Sequence, residues 1–153
     1  MQRITPFLWF DDQAEQAAEF YVSLFPNSRI LSVSRNGGDA AGASTLRFEL
    51  DGVQFTALNG GPVFPFTEAV SLSVVAETQD EIDRLWSALT ADGGEAGQCG
   101  WLKDRWGLSW QIVPPALERL LGDPDPARSK RAMEAMLGMS KLDIAALEAA
   151  AAG

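Results

Sequence analysis

The segment QCGWLKDRWGLSWQIVP, residues 98–114, concentrates the side chains of this chain that could do chemistry. It contains three of the five tryptophans, the single cysteine and the charged run Lys103-Asp104-Arg105. A thiolate at Cys99 beside a cation could act as a nucleophile. The chain has no histidine, which is the usual base for such a nucleophile. We therefore expect Cys99 to be packed and Asp104 to shape a turn, and the sequence assigns no catalytic residue.

Amino-acid composition limits the metals, cofactors and partners that the chain could bind. With one cysteine and no histidine, the common zinc and iron sites would lack their usual donors, so we predict no bound metal and no cofactor. The net charge of −9, without a Lys/Arg stripe, disfavours a nucleic-acid partner. No apolar run approaches the roughly 20 residues that span a bilayer, and the N-terminus lacks a signal-peptide pattern. These features predict a cytoplasmic protein that does not bind membranes.

Two helices with similar spacing organise the chain. The first is predicted over Asp12–Phe25 and opens with an Asp-x-x-Glu pattern at Asp12 and Glu15. The second opens with a capping box at Thr78 and Glu81 and ends at the glycine pair 93–94. Each follows a short apolar strand and precedes further strands, so the order βαβββ occurs twice. The predicted strands are 4–10, 43–50, 53–58, 69–76, 99–105 and 108–113, with a short or irregular strand around 95–99.

This pattern predicts an α+β protein of one domain overall. The first module covers residues 1–60, a linker rich in glycine and proline covers 61–68, and the second module covers 69–114. Residues 115–153 form a helical C-terminal extension, with helices ending near Leu121, over about 127–136 and over 141–152. The apolar side chains of this extension predict that it docks, either on its own chain or on a second subunit.

Alternation along two strands gives the second sheet a polar face. Ser71 and Ser73 point away from the apolar side chains of their strand, as do Ser109 and Gln111 from theirs. Trp110 falls on the apolar side and is expected in the core, whereas Trp101 is expected to line a cavity. The polar face is either a ligand pocket or the solvated side of an open sheet.

The strings ITPFLWFDDQAEQAAEFYVSLFPNSRI, FTALNGGP, AVSLSV, CGWLKDRWGLSWQIVP and AMLGMSKLDIAALEAA carry a resemblance to a known family. The chain resembles the PhnB-like branch of the vicinal oxygen chelate superfamily, which includes glyoxalases, bleomycin-resistance proteins and extradiol dioxygenases. That branch is often labelled 3-demethylubiquinone-9 3-methyltransferase. The resemblance implies a curved mixed sheet with a concave pocket, and a homodimer.

The resemblance also implies positions for metal ligands on the first, fourth, fifth and eighth strands. They fall near Thr5 or Pro6, between Thr56 and Asn59, at Ser71 and at Gln111. None of these is a histidine or a carboxylate, so the chain departs from the chelating pattern. The predicted ligand pocket comprises Thr5, Thr56, Asn59, Ser71, Ser73, Trp101, Ser109 and Gln111.

Three functions follow as hypotheses. The first is binding of a small organic molecule without a metal. The second is an enzyme, either the methyltransferase of the family label or a glyoxalase-like lyase or isomerase. S-adenosylmethionine is expected only if that label is right, because no glycine-rich loop opens a helix after a buried parallel strand. The third is a protein that sequesters its ligand and so confers resistance.

Overall fold

The computed structural model of the protein describes residues 1–35 and 45–153, which form two compact units. The first unit, residues 1–66, contains β1 (Phe7–Phe10), α1 (Ala14–Leu24), β2 (Arg29–Ser34), β3 (Thr45–Leu50) and β4 (Val53–Asn59). The second unit, residues 67–153, contains β5 (Ser71–Val75), α2 (Gln79–Thr90), β6 (Glu95–Ala96), β7 (Trp101–Lys103), β8 (Ser109–Val113), α3 (Pro115–Leu121), α4 (Pro126–Leu137) and α5 (Ile144–Ala152). Residues 43–44 of one predicted strand lie outside the described residues. The βαβββ order is thus confirmed in both units.

The first unit is a four-stranded mixed sheet in the order β1-β4-β3-β2, with β1 parallel to β4. Leu46 and Phe48 of β3 are buried, as is Tyr21 of α1, and α1 contacts β3 and β4. The pair Asp51-Gly52 between the strands predicted at 43–50 and 53–58 predicts a hairpin turn, and the antiparallel pairing of β3 with β4 confirms it. Both residues have positive φ, 46° and 82°, as a two-residue hairpin loop of type I′ requires.

The N-terminus of α1 differs from the prediction. The N-cap position is Gln13, which makes no side-chain capping bond, so the expected capping box at Asp12 and Glu15 is wrong. Instead the side-chain oxygen of Asn59 accepts a hydrogen bond from the backbone nitrogen of Ala14 at 2.8 Å. This is geometrically natural because β1 and β4 are parallel and pair Phe10 with Asn59, which places the end of β4 beside the start of the helix.

Aromatic contacts fix the segment that follows β4. The ring of Trp9 packs edge-on against Phe64 with centroids 5.0 Å apart, and Phe10 packs in the same way against Phe66 at 5.1 Å. The indole nitrogen of Trp9 donates to the carbonyl of Gly61 at 2.9 Å. Residues 61, 64 and 66 of the predicted linker therefore contact β1, and the boundary between the two units falls inside the linker, after Phe66.

The second unit has a mixed sheet in the order β5-β8-β7-β6, with β5 parallel to β8. Its apolar face carries the buried side chains of Leu102, Trp110 and Ile112, and α2 contacts β7 and β8. The Thr78 cap of α2 is confirmed, because the hydroxyl of Thr78 accepts from the backbone nitrogen of Glu81 at 3.1 Å. The second bond of the predicted capping box differs, since the Glu81 carboxylate accepts from the backbone nitrogen of Glu77 at 3.2 Å. The short strand expected near residue 95 is the two-residue β6.

The C-terminal extension packs on its own chain. Helices α3, α4 and α5 enclose an apolar cluster of Leu117, Leu120, Ala132, Leu142, Leu147 and Ala151. Aspartates cap α4 and α5, since Asp125 accepts from Ala127 nitrogen and Asp143 from Ala146 nitrogen. None of the helices in the described part of the chain is both long and apolar enough to cross a membrane.

Candidate ligand cleft

The polar face of the second sheet is built by strand register. Ser71 pairs with Ser109, and Ser109 pairs with Lys103, which pairs with Glu95. A second row, one pleat further along, joins Ser73, Gln111 and Trp101. Residues directly opposite on neighbouring strands point to the same side of a sheet. Five of the predicted pocket residues belong to this sheet, and they therefore share one face: Ser71, Ser73, Trp101, Ser109 and Gln111.

A cleft of about 280 Å³ opens on this face. Its lining residues are Glu68, Glu95, Ala96, Gly97, Gln98, Trp101, Leu102, Lys103 and Ser109. Trp101 and Ser109 were predicted pocket residues. Ser71, Ser73 and Gln111 lie on the same face but are not among the lining residues. The volume lies just below the roughly 300–1,000 Å³ of typical ligand pockets.

An ion pair joins Lys103 to Glu68 at the cleft. The hydrogen bond from Lys103 and the charge of its ammonium hold the pKa of Glu68 below its ordinary value. Reciprocally, the hydrogen bond with Glu68 and its negative charge raise the pKa of Lys103. Both groups are therefore charged near neutral pH. Because Glu95 also lines the cleft, the three ionisable side chains leave one net negative charge there.

Ser109 brings a buried hydroxyl to the cleft. The residue is fully buried, and its Oγ has no hydrogen-bond partner among the described residues. A buried polar group without a partner costs stability, on the order of 1–3 kcal/mol. This buried, unsatisfied hydroxyl lies beside Lys103, its neighbour across the strands.

A tight loop forms one edge of the cleft. The backbone nitrogen of Gly97 donates to the carbonyl of Trp101 at 2.8 Å, and the nitrogen of Trp101 donates to the carbonyl of Gln98 at 3.0 Å. Between them, Cys99 and Gly100 have positive φ of 58° and 85°. Cys99 is thus a turn residue with a left-handed backbone, and it is not among the residues that line the cleft.

The charged run next to this loop has a structural role. Asp104 is buried, and its Oδ1 accepts from the backbone nitrogens of Trp106 and Leu108, each at 3.0 Å. Its Oδ2 accepts from the indole nitrogen of Trp110 at 2.9 Å. The predictions that Asp104 shapes the turn and that Trp110 belongs to the core are both confirmed.

The remaining predicted pocket residues belong to the first unit. Thr5 is exposed and precedes β1. Thr56 is half-buried in the middle of β4, where its backbone nitrogen donates to the carbonyl of Pro6 at 2.9 Å. Asn59 uses its side-chain oxygen to cap α1. These three residues do not line the cleft of the second unit.

The donor set does not fit a divalent metal ion of the kind that the resemblance implies. The side-chain amide of Gln111 donates to the hydroxyl of Ser71 at 3.0 Å, and the oxygen of Asn59 is engaged at the helix. Hydroxyls and neutral amides bring no charge to offset the dehydration of such an ion. Within residues 1–35 and 45–153, no group of three His, Cys, Asp or Glu side chains is placed to hold a metal.

Sequence reasoning missed Lys103, Glu68 and Glu95 as cleft residues. Lys103 was noted only as part of the charged run 103–105, yet it lies two residues after Trp101 in β7 and so shares its face. That alternation could have identified it. Glu68 is the last residue of the predicted linker, and Glu95 is the first residue of the two-residue strand β6. Neither segment is long enough to show a periodic pattern of apolar and polar residues, so the sequence could not identify these two as cleft residues.

Comparison with known proteins defines the class. The chain is similar to a PhnB protein from Bacillus cereus, described as a candidate 3-demethylubiquinone-9 3-methyltransferase, at 37% identity and a TM-score of 0.68 over 74% of this chain and 99% of that chain. It shares its fold with protein PA1353 from Pseudomonas aeruginosa, at 20% identity and a TM-score of 0.61 over 74% of this chain and 98% of that one. The fold also matches a mutant of the fosfomycin resistance protein FosX from Listeria monocytogenes, complexed with Mn(II) and 1S,2S-dihydroxypropylphosphonic acid, at 16% identity and a TM-score of 0.58 over 79% of this chain and 99% of that one.

The likeness to the B. cereus PhnB protein, at more than 30% identity, places the chain in the glyoxalase/bleomycin-resistance, or vicinal oxygen chelate, superfamily. Residues 2–113 match the family model described as 3-demethylubiquinone-9 3-methyltransferase, and the chain belongs to that PhnB-like family. No match to a curated protein was found. The family match ends at Val113, at the end of β8, so helices α3 to α5 lie beyond it.

Proposed function

We propose that the second unit binds a small organic molecule with one aromatic ring, uncharged or cationic, in the cleft beside Trp101. The observation that carries this proposal is the shared face of Trp101, Lys103 and Ser109, which combines a ring, a hydrogen-bonding cation and a buried hydroxyl at one cavity. Pockets that bind small molecules typically have apolar walls with a few polar groups that fix orientation.

Each lining group has a distinct part in the proposed binding. The indole of Trp101 offers its face or edge to a ligand ring, an arrangement worth about 0.5–1.5 kcal/mol beyond burial. Lys103 and Ser109 donate hydrogen bonds to a hydroxyl or carbonyl oxygen of the ligand. The net negative charge from Glu68, Glu95 and Lys103 disfavours anionic ligands, and the chain as a whole carries −9.

A matched set of three phenols tests the proposal. Tyramine is cationic, 4-hydroxybenzamide is neutral and 4-hydroxybenzoate is anionic, while the ring and its hydroxyl are the same. Each is titrated into the protein by calorimetry, and its effect on the melting temperature is measured. We expect tyramine and 4-hydroxybenzamide to bind with dissociation constants on the order of 0.1–1 mM, as their size allows, and 4-hydroxybenzoate to bind more weakly.

Two tryptophan variants locate the binding. Trp101→Ala removes the ring that lines the cleft, and we expect it to weaken binding of both compounds about tenfold. Trp106→Ala removes a half-buried tryptophan of the same hairpin that lies outside the lining, and we expect it to leave binding unchanged. Equal loss in both variants, or no binding by the unaltered protein, would refute the proposal.

Methyl transfer is the second candidate, because the family description names it. The donor would be S-adenosylmethionine, but the residues do not fit its usual cradle. The turn after β1 is Asp11-Asp12-Gln13 and the turn after β5 is Ala76-Glu77-Thr78, so neither has the glycines that let a backbone approach a cofactor. Stabilisation of the protein by S-adenosylmethionine in the same melting assay would favour this candidate.

A sequestering protein is distinguished from a glyoxalase-like lyase or isomerase by whether a bound compound is turned over.

Two further expectations extend the proposal. By resemblance we propose a homodimer, to be tested by analytical ultracentrifugation at several protein concentrations. We also propose a cytoplasmic location, which agrees with a single free cysteine.

A further inference from the structure

We infer that the C-terminal extension is a positioning element for the cleft, and that Ser140 fixes the loop at the cleft edge and so sets the affinity of the cleft. This inference rests on the proposed function. It concerns the part of the chain beyond the family match, which ends at Val113. The B. cereus PhnB protein is covered over 99% of its length by 74% of this chain, so about a quarter of this chain has no counterpart there.

Three hydrogen bonds join the extension to the cleft edge. The backbone nitrogen of Cys99 donates to the carbonyl of Met139, and that of Gly100 donates to the carbonyl of Ser140, each at 2.8 Å. The hydroxyl of Ser140 donates to the carbonyl of Gly97 at 2.5 Å. The connection between α4 and α5 thus runs beside residues 97–100, of which Gly97 and Gln98 line the cleft.

Close packing accompanies these bonds. Leu142 is fully buried, and a Cβ atom added to Gly100 would lie 3.0 Å from its Cδ1. Gly100 has a φ of 85°, so any other residue would be strained there as well. The loop and the extension therefore fit each other at van der Waals contact, and a displacement of one requires a displacement of the other.

The extension is in turn anchored to α2. The side chain of Gln79, at the first position of α2, donates to the carbonyl of Leu142 at 3.0 Å and accepts from the backbone nitrogen of Ile144 at 2.9 Å. Lys141 forms an ion pair with Asp83 at 2.8 Å. Residues 139–144 are thus held between α2 on one side and the cleft edge on the other. This makes them a rigid support for Gly97.

Support of this kind affects binding through preorganisation. A loop held in its binding conformation before the ligand arrives loses less freedom on binding, so the affinity is higher. Removing the Ser140 hydroxyl leaves the Gly97 carbonyl without that donor and loosens the edge. We expect the affinity for 4-hydroxybenzamide to fall about threefold to tenfold, the effect of losing one such hydrogen bond.

The experiment compares three variants by amide hydrogen exchange without any ligand, and by calorimetry with 4-hydroxybenzamide and tyramine. Ser140→Ala removes the bond to Gly97, and Ser140→Thr keeps a hydroxyl. Ser129→Ala is the matched control, since Ser129 is also half-buried in the extension and donates to the carbonyl of Leu121 at 2.6 Å, away from the cleft. Both alanine variants lose one serine-to-carbonyl bond and should lose similar overall stability.

The expected result is faster exchange of the Cys99 and Gly100 amides and weaker binding in Ser140→Ala, with both restored in Ser140→Thr and unchanged in Ser129→Ala. Equal exchange at these amides in the two alanine variants would overturn the inference. Faster exchange in Ser140→Ala with unchanged affinity would overturn the role in binding. If the unaltered protein binds neither compound, the proposed function fails, and the affinity role fails with it, whereas the exchange data still decide whether Ser140 holds the loop.

Discussion

The side-chain amide of Gln111 donates a hydrogen bond to the hydroxyl of Ser71 at 3.0 Å, between the neighbouring parallel strands β8 and β5. These are two of the positions at which the superfamily resemblance implies metal ligands. In this chain the two groups satisfy each other, and neither carries charge. The pair therefore acts as a polar cross-strand contact on the face that bears the cleft.

We expect divalent metals to leave the protein unaffected. Zn²⁺, Ni²⁺, Mn²⁺ or Fe²⁺ at millimolar concentration should not raise the melting temperature, because an amide and a hydroxyl are weak ligands for these ions. Ser71→Ala and Gln111→Ala are the controls. Metal-dependent stabilisation of the unaltered protein that disappears in both variants would show that these residues do hold an ion.

The capping of α1 predicts unequal effects of two substitutions. Asn59→Ala should lower the free energy of unfolding by about 1 kcal/mol, because it removes the acceptor of the Ala14 amide. Asp12→Ala should change it by less than about 0.5 kcal/mol, since the N-cap position is Gln13. Asn59→Asp keeps an acceptor oxygen, so its free energy of unfolding should be close to that of the unaltered protein. Urea unfolding measures all three, and a larger loss in Asp12→Ala would contradict this arrangement.

Asp104 should be among the most sensitive polar positions. Asp104→Ala removes the acceptor of three hydrogen bonds from a buried site, and we expect a loss of about 2–4 kcal/mol in unfolding free energy. Asp104→Asn should lose less, because its oxygen can still accept from two backbone amides. Asp51→Asn, at the exposed turn of the other unit, should change stability by less than about 0.5 kcal/mol. A loss in Asp104→Ala no larger than in Asp51→Asn would refute the turn role.

The ion pair of Glu68 and Lys103 predicts a pH dependence. The pKa of Glu68 is lowered from 4.5, so its contribution to stability is present above pH 4.5 and is lost as the pH falls through the folded-state pKa. The pKa of Lys103 is raised from 10.5, so its contribution is present below that pH and is lost as the pH rises through the folded-state pKa. The side chain of Lys103 is 38% exposed and that of Glu68 is 59% exposed. Because water and salt screen exposed charges, the ion pair adds little to the free energy of unfolding.

Carbon-detected NMR titration of the Glu68 carboxyl checks this directly. In Lys103→Met the midpoint should return towards 4.5, because the hydrogen bond and the positive charge that lower the pKa are gone. Lys130→Met, which removes an exposed lysine of α4, should leave the Glu68 midpoint where it is. An unchanged midpoint in Lys103→Met would mean that the pair does not form in solution.

Local patterns in the sequence were sufficient for most of the fold. Period-two alternation placed Ser109 and Gln111 on the face of the sheet opposite to that of Trp110. The Asp51-Gly52 turn and the Thr78 cap are signals contained within a few residues. The cap of α1 could not be read in this way, because Asn59 lies 45 residues from Ala14 and reaches it only through the parallel pairing of β1 with β4.

The candidate site was predicted less completely for the same reason. Ser109 follows from alternation and Trp101 from its place across the hairpin. The loop at the cleft edge depends instead on the left-handed backbone of Cys99 and on contacts with the extension about 40 residues away. The distribution of predicted pocket residues over both units came from the family pattern of metal ligands, whereas the described cleft lies within the second unit.

The most direct test of the account is an NMR titration of ¹⁵N-labelled protein with 4-hydroxybenzamide and tyramine. Binding in the cleft predicts concentration-dependent shifts of the Trp101 indole and of the Gly97, Lys103 and Ser109 amides, all abolished or strongly reduced in Trp101→Ala and retained in Trp106→Ala. The absence of shifts at about 10 mM of either compound, well above the dissociation constants expected for ligands of this size, would contradict the account. So would shifts centred on residues outside this cleft.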